Sequence, residues 1–213
     1  DDVELVSTCN YDEDLEKISE TDWVLEAVVE RLDIKEKLYS NLLPHLKETA
    51  ILTSNTSGIP FSDLAKNLPD EVKKRFMITH FFNPPRYMQL LELVRGEHTT
   101  EDTYKRMAAF GEYVLGKGIV HAKDTPNFIG NRIGIFGMMT AISLAVEHGL
   151  KVEEVDTLTG LISGRPKSAT FRTADVVGLD ILKNVSLTTY EKAVDDESRE
   201  LFKIPEILDN LIG

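Results

Sequence analysis

One histidine and one carboxylate stand in apolar sequence on either side of a short bend. His80 follows the apolar residues 76–79, the bend Asn83-Pro84-Pro85 comes next, and Glu92 lies within the apolar residues 90–94. Because a residue before proline is pushed to extended conformations, this stretch predicts strand, bend, strand. A carboxylate buried among apolar residues needs a partner, and the nearest is His80. A histidine held in this way has a fixed tautomer and a stabilised protonated form, as a general base requires.

Spacing alone leaves a second interpretation open, in which His80 is a core histidine bonded to backbone and Glu92 lies on a solvated strand face. Three other polar residues, Ser57, Asn83 and Asn131, are candidates for contact with a substrate. Each also has a structural explanation, as a turn or cap residue, a bend residue before proline, and a polar residue near a helix start, respectively.

The first half of the chain alternates apolar runs with amphipathic segments. Strands are predicted near residues 1–7 and at residues 23–29, 50–54, 76–79 and 119–122, with one more around Glu92. Leucine and isoleucine recur at helical spacing over residues 32–46, which predicts a crossover helix that has Lys35 on its polar side. Such alternation predicts a parallel sheet, in which ligands bind beyond the carboxyl ends of the strands. Glu30, residues 55–57 and His80 all follow such ends.

Glu30 and Lys35 have two interpretations. An acidic residue at a strand end in such a sheet suits the edge of a nucleotide. The same two residues also fit an ordinary surface ion pair at a helix start.

The composition of the chain changes after residue 124. A polar joint at residues 123–127 is followed by an uninterrupted helical pattern over residues 128–149, which stops at a glycine. Further helices are predicted at residues 152–158 and near Ala174, Leu182 and Leu208. We therefore expect an α/β domain over residues 1–124 and an all-α domain over residues 125–213.

Charge and cysteine content exclude several classes of function. With 24 basic and 36 acidic residues, the net charge of −12 argues against nucleic-acid or anionic membrane surfaces as partners. Cys9 is the only cysteine, so we expect no disulfides and a reduced, cytoplasmic setting. Histidine and cysteine show no metal-ligand spacing, and we predict no metal. No apolar run is long enough to span a bilayer.

The chain has no Gly-x-Gly-x-x-Gly turn, the element that lets the backbone approach a pyrophosphate in dinucleotide folds. Two explanations are open: the fold binds no dinucleotide, or its first βαβ unit is missing. Since the sequence begins at Asp1 without methionine, in what reads as the middle of a sheet, we expect the second.

Five segments, in order along the chain, resemble the 3-hydroxyacyl-CoA dehydrogenases of fatty-acid β-oxidation. They are residues 26–30, 54–57, 80–85, 123–132 and 177–180. The resemblance runs over nearly the whole length and implies an α/β Rossmann-like parallel sheet that lacks its first βαβ unit, followed by an incomplete all-α C-terminal domain. Residues 165–172 are similar to long bacterial or archaeal chains in which the dehydrogenase is fused to an enoyl-CoA hydratase.

The resemblance implies a role for each catalytic candidate. His80 would remove the 3-hydroxyl proton of an acyl-CoA substrate while hydride leaves C3 for NAD, and Glu92 would orient His80 and stabilise its charge. Ser57 and Asn131 would hold the substrate oxygens and the nicotinamide in register. The helical domain would also join two copies into a homodimer.

The resemblance also implies the NAD site. Ala27, Glu30 and Lys35 would line it, and Ser57 and Asn83 would lie beside the nicotinamide. Without the glycine turn, we expect residues 1–213 alone to bind NAD weakly and to turn over slowly or not at all.

Two other functions compete with this one. The 2-hydroxyacid and 6-phosphogluconate types of dehydrogenase share a sheet plus a helical domain, but they use a lysine where this chain has His80 with Glu92. The other is a catalytically inactive relative that serves as an oligomerisation module through the apolar helix beginning near Phe128.

Overall fold

The computed structural model describes the backbone of residues 2–212 and the side chains of residues 4–210. Two compact units make up the chain, with the division between Asp124 and Thr125. The division lies within the polar joint at residues 123–127.

The first unit is built on one five-stranded sheet. Its strands are β1 Trp23–Glu26, β2 Ile51–Ser54, β3 Phe76–Phe81, β4 Leu90–Arg95 and β5 Gly118–Ala122, and they lie side by side in that order. The pairs β1–β2, β2–β3 and β4–β5 are parallel, which confirms the predicted α/β sheet. The β3–β4 pair is antiparallel and joins the two strands on either side of the predicted bend, so the sheet is largely parallel. The bend at residues 82–89 is too short for a crossover and makes a hairpin.

The helices of the first unit cover the sheet. They are α1 Leu32–Leu42, α2 Phe61–Ala65, α3 Asp70–Lys73 and α4 Glu101–Ala109, with a π-helical turn at Phe110–Val114 and 3₁₀ turns at Asp2–Leu5, Leu15–Glu20 and Leu43–His45. The strand predicted near residues 1–7 is therefore wrong over the described residues; residue 1 lies outside them.

Apolar packing on both faces of the sheet explains why its central strands contain few polar residues. Ile51, Met77 and Leu93 are buried in one cluster with Met107 of α4. At another strand position, the Phe76 ring packs edge-to-face against Tyr39 of α1 and in a tilted arrangement against Phe61 of α2.

Strand β1 is shorter than predicted, because a side chain takes over its backbone bonding. The Glu26 carboxylate accepts the Val28 N–H at 2.7 Å, which turns the chain out of the ladder three residues before residue 29. The carbonyl of Glu26 accepts the Asn55 N–H at 2.8 Å as the last bond between the ends of β1 and β2.

The second unit is helical, as the all-α prediction requires. Its helices are α5 Gly130–Glu147, α6 Val152–Thr159, α7 Phe171–Val177, α8 Leu179–Lys192 and α9 Glu206–Ile212, with 3₁₀ turns at Leu161–Ser163 and Arg199–Phe202. Ile135, Met139 and Ile142 of α5 form the centre of its core, packed against Phe202 among others. None of the helices within residues 2–212 is long and apolar enough to cross a membrane.

Candidate active site

His80 and Glu92 lie directly opposite each other on β3 and β4. Both side chains project from the same face, and His80 Nδ1 is 2.7 Å from Glu92 Oε2. The side chain of Glu92 is fully buried and that of His80 is 7% exposed. The interpretation that placed Glu92 on a solvated face is therefore wrong. With Nδ1 held by the carboxylate, Nε2 is the ring atom that can exchange a proton with a substrate.

Glu30 fastens the segment after β1 to the turn after β2. Its Oε1 accepts hydrogen bonds from the Thr56 hydroxyl at 2.5 Å, the Ser57 N–H at 2.9 Å and the Gly58 N–H at 3.0 Å. Burial alone would raise the pKa of Glu30, but these bonds and the charge of Lys35 outweigh it and hold the pKa below its ordinary value. These bonds hold the turn that contains Ser57 against the Glu30 carboxylate. The Ser57 hydroxyl has no hydrogen-bond partner within the described part of the chain.

Lys35 lies inside the protein, so its assignment to the polar side of a surface helix is wrong. Its side chain is 1% exposed, and Nζ is 2.8 Å from Glu26 Oε1, 3.3 Å from Glu30 Oε2 and 3.3 Å from the Val28 carbonyl oxygen. The interpretation of Glu30 and Lys35 as a surface pair fails for the same reason. Because its donors face these three oxygens, the ammonium holds Glu30 in place.

The carboxylate of Glu26 completes this network. Glu26 was not among the site residues predicted from the sequence. Besides Lys35 and Val28, its donors are the Tyr39 hydroxyl at 3.0 Å and the Ser54 hydroxyl at 2.6 Å. Burial, followed by the charge of Glu26, raises the pKa of Tyr39 far above its usual range, so this hydroxyl stays a neutral donor.

The remaining predicted site residues lie in three places. Ala27 is exposed just beyond β1, and Asn83 is exposed in the bend between β3 and β4. Asn131 is half-buried on the first turn of α5 and belongs to the second unit. Within the first unit, the structure brings Ser57, Glu30 and Lys35 together and pairs His80 with Glu92.

The edge formed by these residues suits part of a nucleotide. Strands β1, β2 and β3 are parallel, so their carboxyl ends meet at one edge of the sheet, where such folds bind ligands. The Glu30 carboxylate, the Ser57 hydroxyl and the Asn83 amide supply hydrogen-bonding groups near these strand ends. No cluster of three or more His, Cys, Asp or Glu side chains suited to a metal ion occurs among the described residues.

Fold and site together define the class of nicotinamide-nucleotide dehydrogenases that join a largely parallel sheet to a helical domain. Residues 1–125 match the NAD binding domain of 3-hydroxyacyl-CoA dehydrogenase, and residues 128–212 match the C-terminal domain of the same enzymes. The chain belongs to the 3-hydroxyacyl-CoA dehydrogenase family, which confirms the resemblance and makes NAD its cofactor.

Individual relatives agree with this membership. The chain is 48% identical to a Bacillus subtilis protein named "Probable 3-hydroxyacyl-CoA dehydrogenase" over 95% of its own length and 26% of that protein. A Deinococcus radiodurans protein of the same name is 42% identical over the whole chain and 61% of the relative. The crystal structure of (S)-3-hydroxybutyryl-CoA dehydrogenase PaaH1 from Ralstonia eutropha superposes with a TM-score of 0.81 at 28% identity, covering 93% of this chain and 67% of that one. The chain thus spans less than two thirds of both curated relatives.

Proposed function

We propose that this chain carries the catalytic pair for oxidation of (S)-3-hydroxyacyl-CoA to 3-oxoacyl-CoA in fatty-acid oxidation. The observation that carries the proposal is the 2.7 Å contact between a nearly buried His80 and a fully buried Glu92 on adjacent strands. NAD, when bound, accepts the hydride from C3 of the substrate. The similar Ralstonia eutropha protein is named as a dehydrogenase of (S)-3-hydroxybutyryl-CoA, which belongs to the same substrate class.

His80 is the base in this reaction. Its Nε2 takes the proton of the 3-hydroxyl group, and in the reverse direction it returns a proton to the forming alkoxide. Glu92 keeps Nδ1 protonated and stabilises the imidazolium that forms, because a fully buried carboxylate 2.7 Å away is weakly screened. General acid–base catalysis of this kind contributes about 10²- to 10⁴-fold in rate.

Ser57 and Asn131 are proposed to hold the substrate oxygens in register with the base. The backbone of Ser57 is anchored by Glu30, which leaves its hydroxyl available to a ligand. The proposal for Asn131, on the first turn of α5, rests on the family resemblance alone.

The cofactor contacts are proposed to come from Ala27, Glu30, Ser57 and Asn83. Lys35 acts on the cofactor through Glu30, since its own ammonium is enclosed by protein oxygens. In this arrangement Lys35 sets the position of the Glu30 carboxylate, and Glu30 contacts the nicotinamide half of NAD.

The test is NADH consumption with acetoacetyl-CoA by the product of the complete open reading frame that encodes this chain. We expect His80→Gln to lower kcat by about 10²- to 10⁴-fold and to leave the KM for NADH within a factor of about three. The matched control is His98→Gln, the same substitution at an exposed histidine of the same unit. Full activity of His80→Gln would support a lysine-dependent mechanism instead, and equal losses in both variants would contradict the assignment of His80.

A second function, assembly through the helical unit, is favoured by its surface. Ile133, Leu161, Ile162 and Val176 are between 68% and 78% exposed, and a contact between two copies would bury apolar side chains of this kind. We propose a homodimer through this unit, and light scattering of the same product tests it. A dimer that neither binds nucleotide nor turns over would favour the oligomerisation module over the enzyme.

We propose that the chain works in the cytoplasm. The single cysteine, Cys9, is exposed and unpaired with another thiol, which suits a reducing cytoplasm.

The Bacillus subtilis relative, of which this chain covers 26%, is long enough to hold further domains. We therefore propose that an enoyl-CoA hydratase is fused to or associated with this chain, which co-purification of hydratase activity would test.

A further inference from the structure

Strands β2 and β3 stop pairing before β3 ends. Their register runs to Ser54 opposite Ile78, whereas β3 continues to Phe81 along its other neighbour, β4. The chain leaves β2 at Asn55 to form the turn held by Glu30. The N–H of Phe81 on the β2 side therefore requires a partner that the β2 backbone ladder does not supply.

Asn55 supplies that partner with its side chain. Its Oδ1 accepts the Phe81 N–H at 2.9 Å, while its own N–H donates to the Glu26 carbonyl at 2.8 Å. One residue thus joins the ends of β1, β2 and β3. Because a backbone N–H can bond only an oxygen acceptor here, the amide orientation of Asn55 is determined by this contact.

This junction lies between the two groups that the proposed reaction must keep in register. Phe81 directly follows His80, and Ser57 is two residues after Asn55. Glu92 fixes the ring of His80 from the β4 side, and Asn55 fixes the adjoining backbone from the β2 side. A change at Asn55 frees the backbone beside His80 but leaves the pair with Glu92 chemically intact.

We propose that Asn55 is a positioning residue that holds the His80 backbone at a set place relative to the Ser57 turn. The proposal rests on the proposed function for its effect on rate. It does not require Asn55 to touch substrate or NAD. The competing role is direct binding through Nδ2, for which the described residues offer no protein partner.

Two substitutions separate the acceptor from the rest of the side chain. Asn55→Leu keeps similar volume and removes the oxygen, whereas Asn55→Asp keeps an acceptor oxygen in the same place and removes Nδ2. Asn67→Leu is the matched control, since Asn67 is an exposed asparagine whose side-chain amide donates to Glu36 on the surface.

The first readout does not depend on activity. Amide hydrogen exchange at Phe81 should be protected in the unaltered protein, faster by roughly tenfold or more in Asn55→Leu, and protected again in Asn55→Asp. The Nδ1–H resonance of His80, which reports its bond to Glu92, should shift or broaden in Asn55→Leu only. Unchanged exchange and an unchanged resonance in Asn55→Leu would overturn the proposal.

The second readout is steady-state kinetics with NADH and acetoacetyl-CoA. Displacing a base by about 1 Å costs on the order of 10²-fold in rate, so we expect kcat of Asn55→Leu to fall by about 10- to 100-fold with both KM values within about threefold. A rise in KM at constant kcat would assign Asn55 to ligand binding and overturn the proposal. Faster Phe81 exchange with unchanged kcat would reduce the contact to a structural one and also overturn it.

Failure of the proposed function gives a different pattern. In that case the unaltered protein either shows no turnover or shows turnover that His80→Gln does not reduce. The exchange and resonance measurements still decide whether Asn55 holds the backbone at His80.

Discussion

Replacing Lys35 with methionine tests the buried network beneath the proposed cofactor edge. The substitution keeps the length of the side chain but removes the ammonium, whose Nζ is 2.8 Å from Glu26 Oε1. Since the side chains of Lys35 and Glu26 are 1% and 0% exposed, solvent cannot replace the lost partner. Lys35→Met therefore leaves an uncompensated charge in the interior.

The magnitude follows from what Glu26 retains. Removing one member of a buried ion pair typically costs roughly 3–5 kcal/mol. Glu26 keeps the Val28 N–H and the hydroxyls of Tyr39 and Ser54, and charge-assisted bonds of this type are each worth about 1.5–3 kcal/mol. We therefore expect the lower end, about 3 kcal/mol of unfolding free energy. The double variant Glu26→Gln/Lys35→Met should lose only about 1 kcal/mol, because no buried charge remains.

The assay is urea unfolding at pH 7 followed by tryptophan fluorescence. Trp23 is the only tryptophan and lies on β1, where its indole N–H donates to Thr53, so the signal reports the first unit. With m-values of about 1–3 kcal/mol per molar urea, a loss of about 3 kcal/mol moves the midpoint by roughly 1–3 M.

Lys47→Met is the control for this prediction. Lys47 forms a pair of similar length, 2.6 Å to Asp22, but the two side chains are 41% and 81% exposed, and solvent and salt screen such a pair so that it contributes little to stability. Equal midpoints for Lys35→Met and Lys47→Met would refute the reasoning. So would a double variant that loses as much as the sum of its two single substitutions.

The other predictions concern Glu30 and two glycines. The pKa of Glu30 is lowered in the folded state, and such a carboxylate adds stability above its unfolded pKa of about 4.3 that is lost as pH falls through the folded value. Glu30→Gln should therefore lower the urea midpoint at pH 7 and have a progressively smaller effect as the pH falls below about 4; an effect that does not shrink with falling pH would contradict the role of its charge. A Cβ at Gly96 would lie 1.8 Å from the buried Phe61 ring, so Gly96→Ala should cost about 1–3 kcal/mol in thermal unfolding. Gly134 lies within α5, and a Cβ built there would have no neighbouring atom within 4 Å. Gly134→Ala should therefore raise the unfolding free energy by about 0.5–1 kcal/mol. Equal losses of stability in the two alanine variants would exclude the steric explanation.

The pairing of His80 with Glu92 is predictable because its cause is local. An apolar run on each side of a proline bend specifies a hairpin, and a carboxylate inside one run needs a partner in the other. The structure places the two residues in register across the hairpin. The confirmed sheet and helical domain follow in the same way from apolar runs and helical spacing along the chain.

Lys35 is misplaced by the helical pattern although the sequence contains a signal for its burial. Lys35, Tyr39 and Leu42 form the buried stripe of α1 at spacings of four and three. Counting only leucine and isoleucine positions puts this lysine on the opposite side. Glu26, like Glu92, is a carboxylate in an apolar strand and needs a partner when buried. Lys35, on the helix that follows, is the nearby residue that can supply the opposite charge.

The role of Asn55 is beyond sequence reasoning for a different reason. Its side chain bonds the backbone of Phe81, 26 residues away, and no pattern of residue types records a contact made to a backbone N–H. Such contacts follow from where each strand stops, and element ends are the least certain part of any prediction from sequence. The role proposed for Asn55 is therefore apparent only once the structure shows where the pairing of β2 and β3 ends.

Two buried carboxylates, Glu26 on β1 and Glu92 on β4 of the same sheet, are consistent with the proposed assignment of the base to a histidine. Glu92 binds the imidazole of His80 at Nδ1, and in the proposed reaction the other ring nitrogen, Nε2, exchanges the proton. Glu26 holds the ammonium of Lys35, which also donates to the Val28 carbonyl and lies 3.3 Å from Glu30 Oε2, so this cation helps to hold the edge together. We propose that the same feature, a fully buried carboxylate, supports a general base at His80 and a rigid edge at Lys35, because its partner is an imidazole in one case and an ammonium in the other.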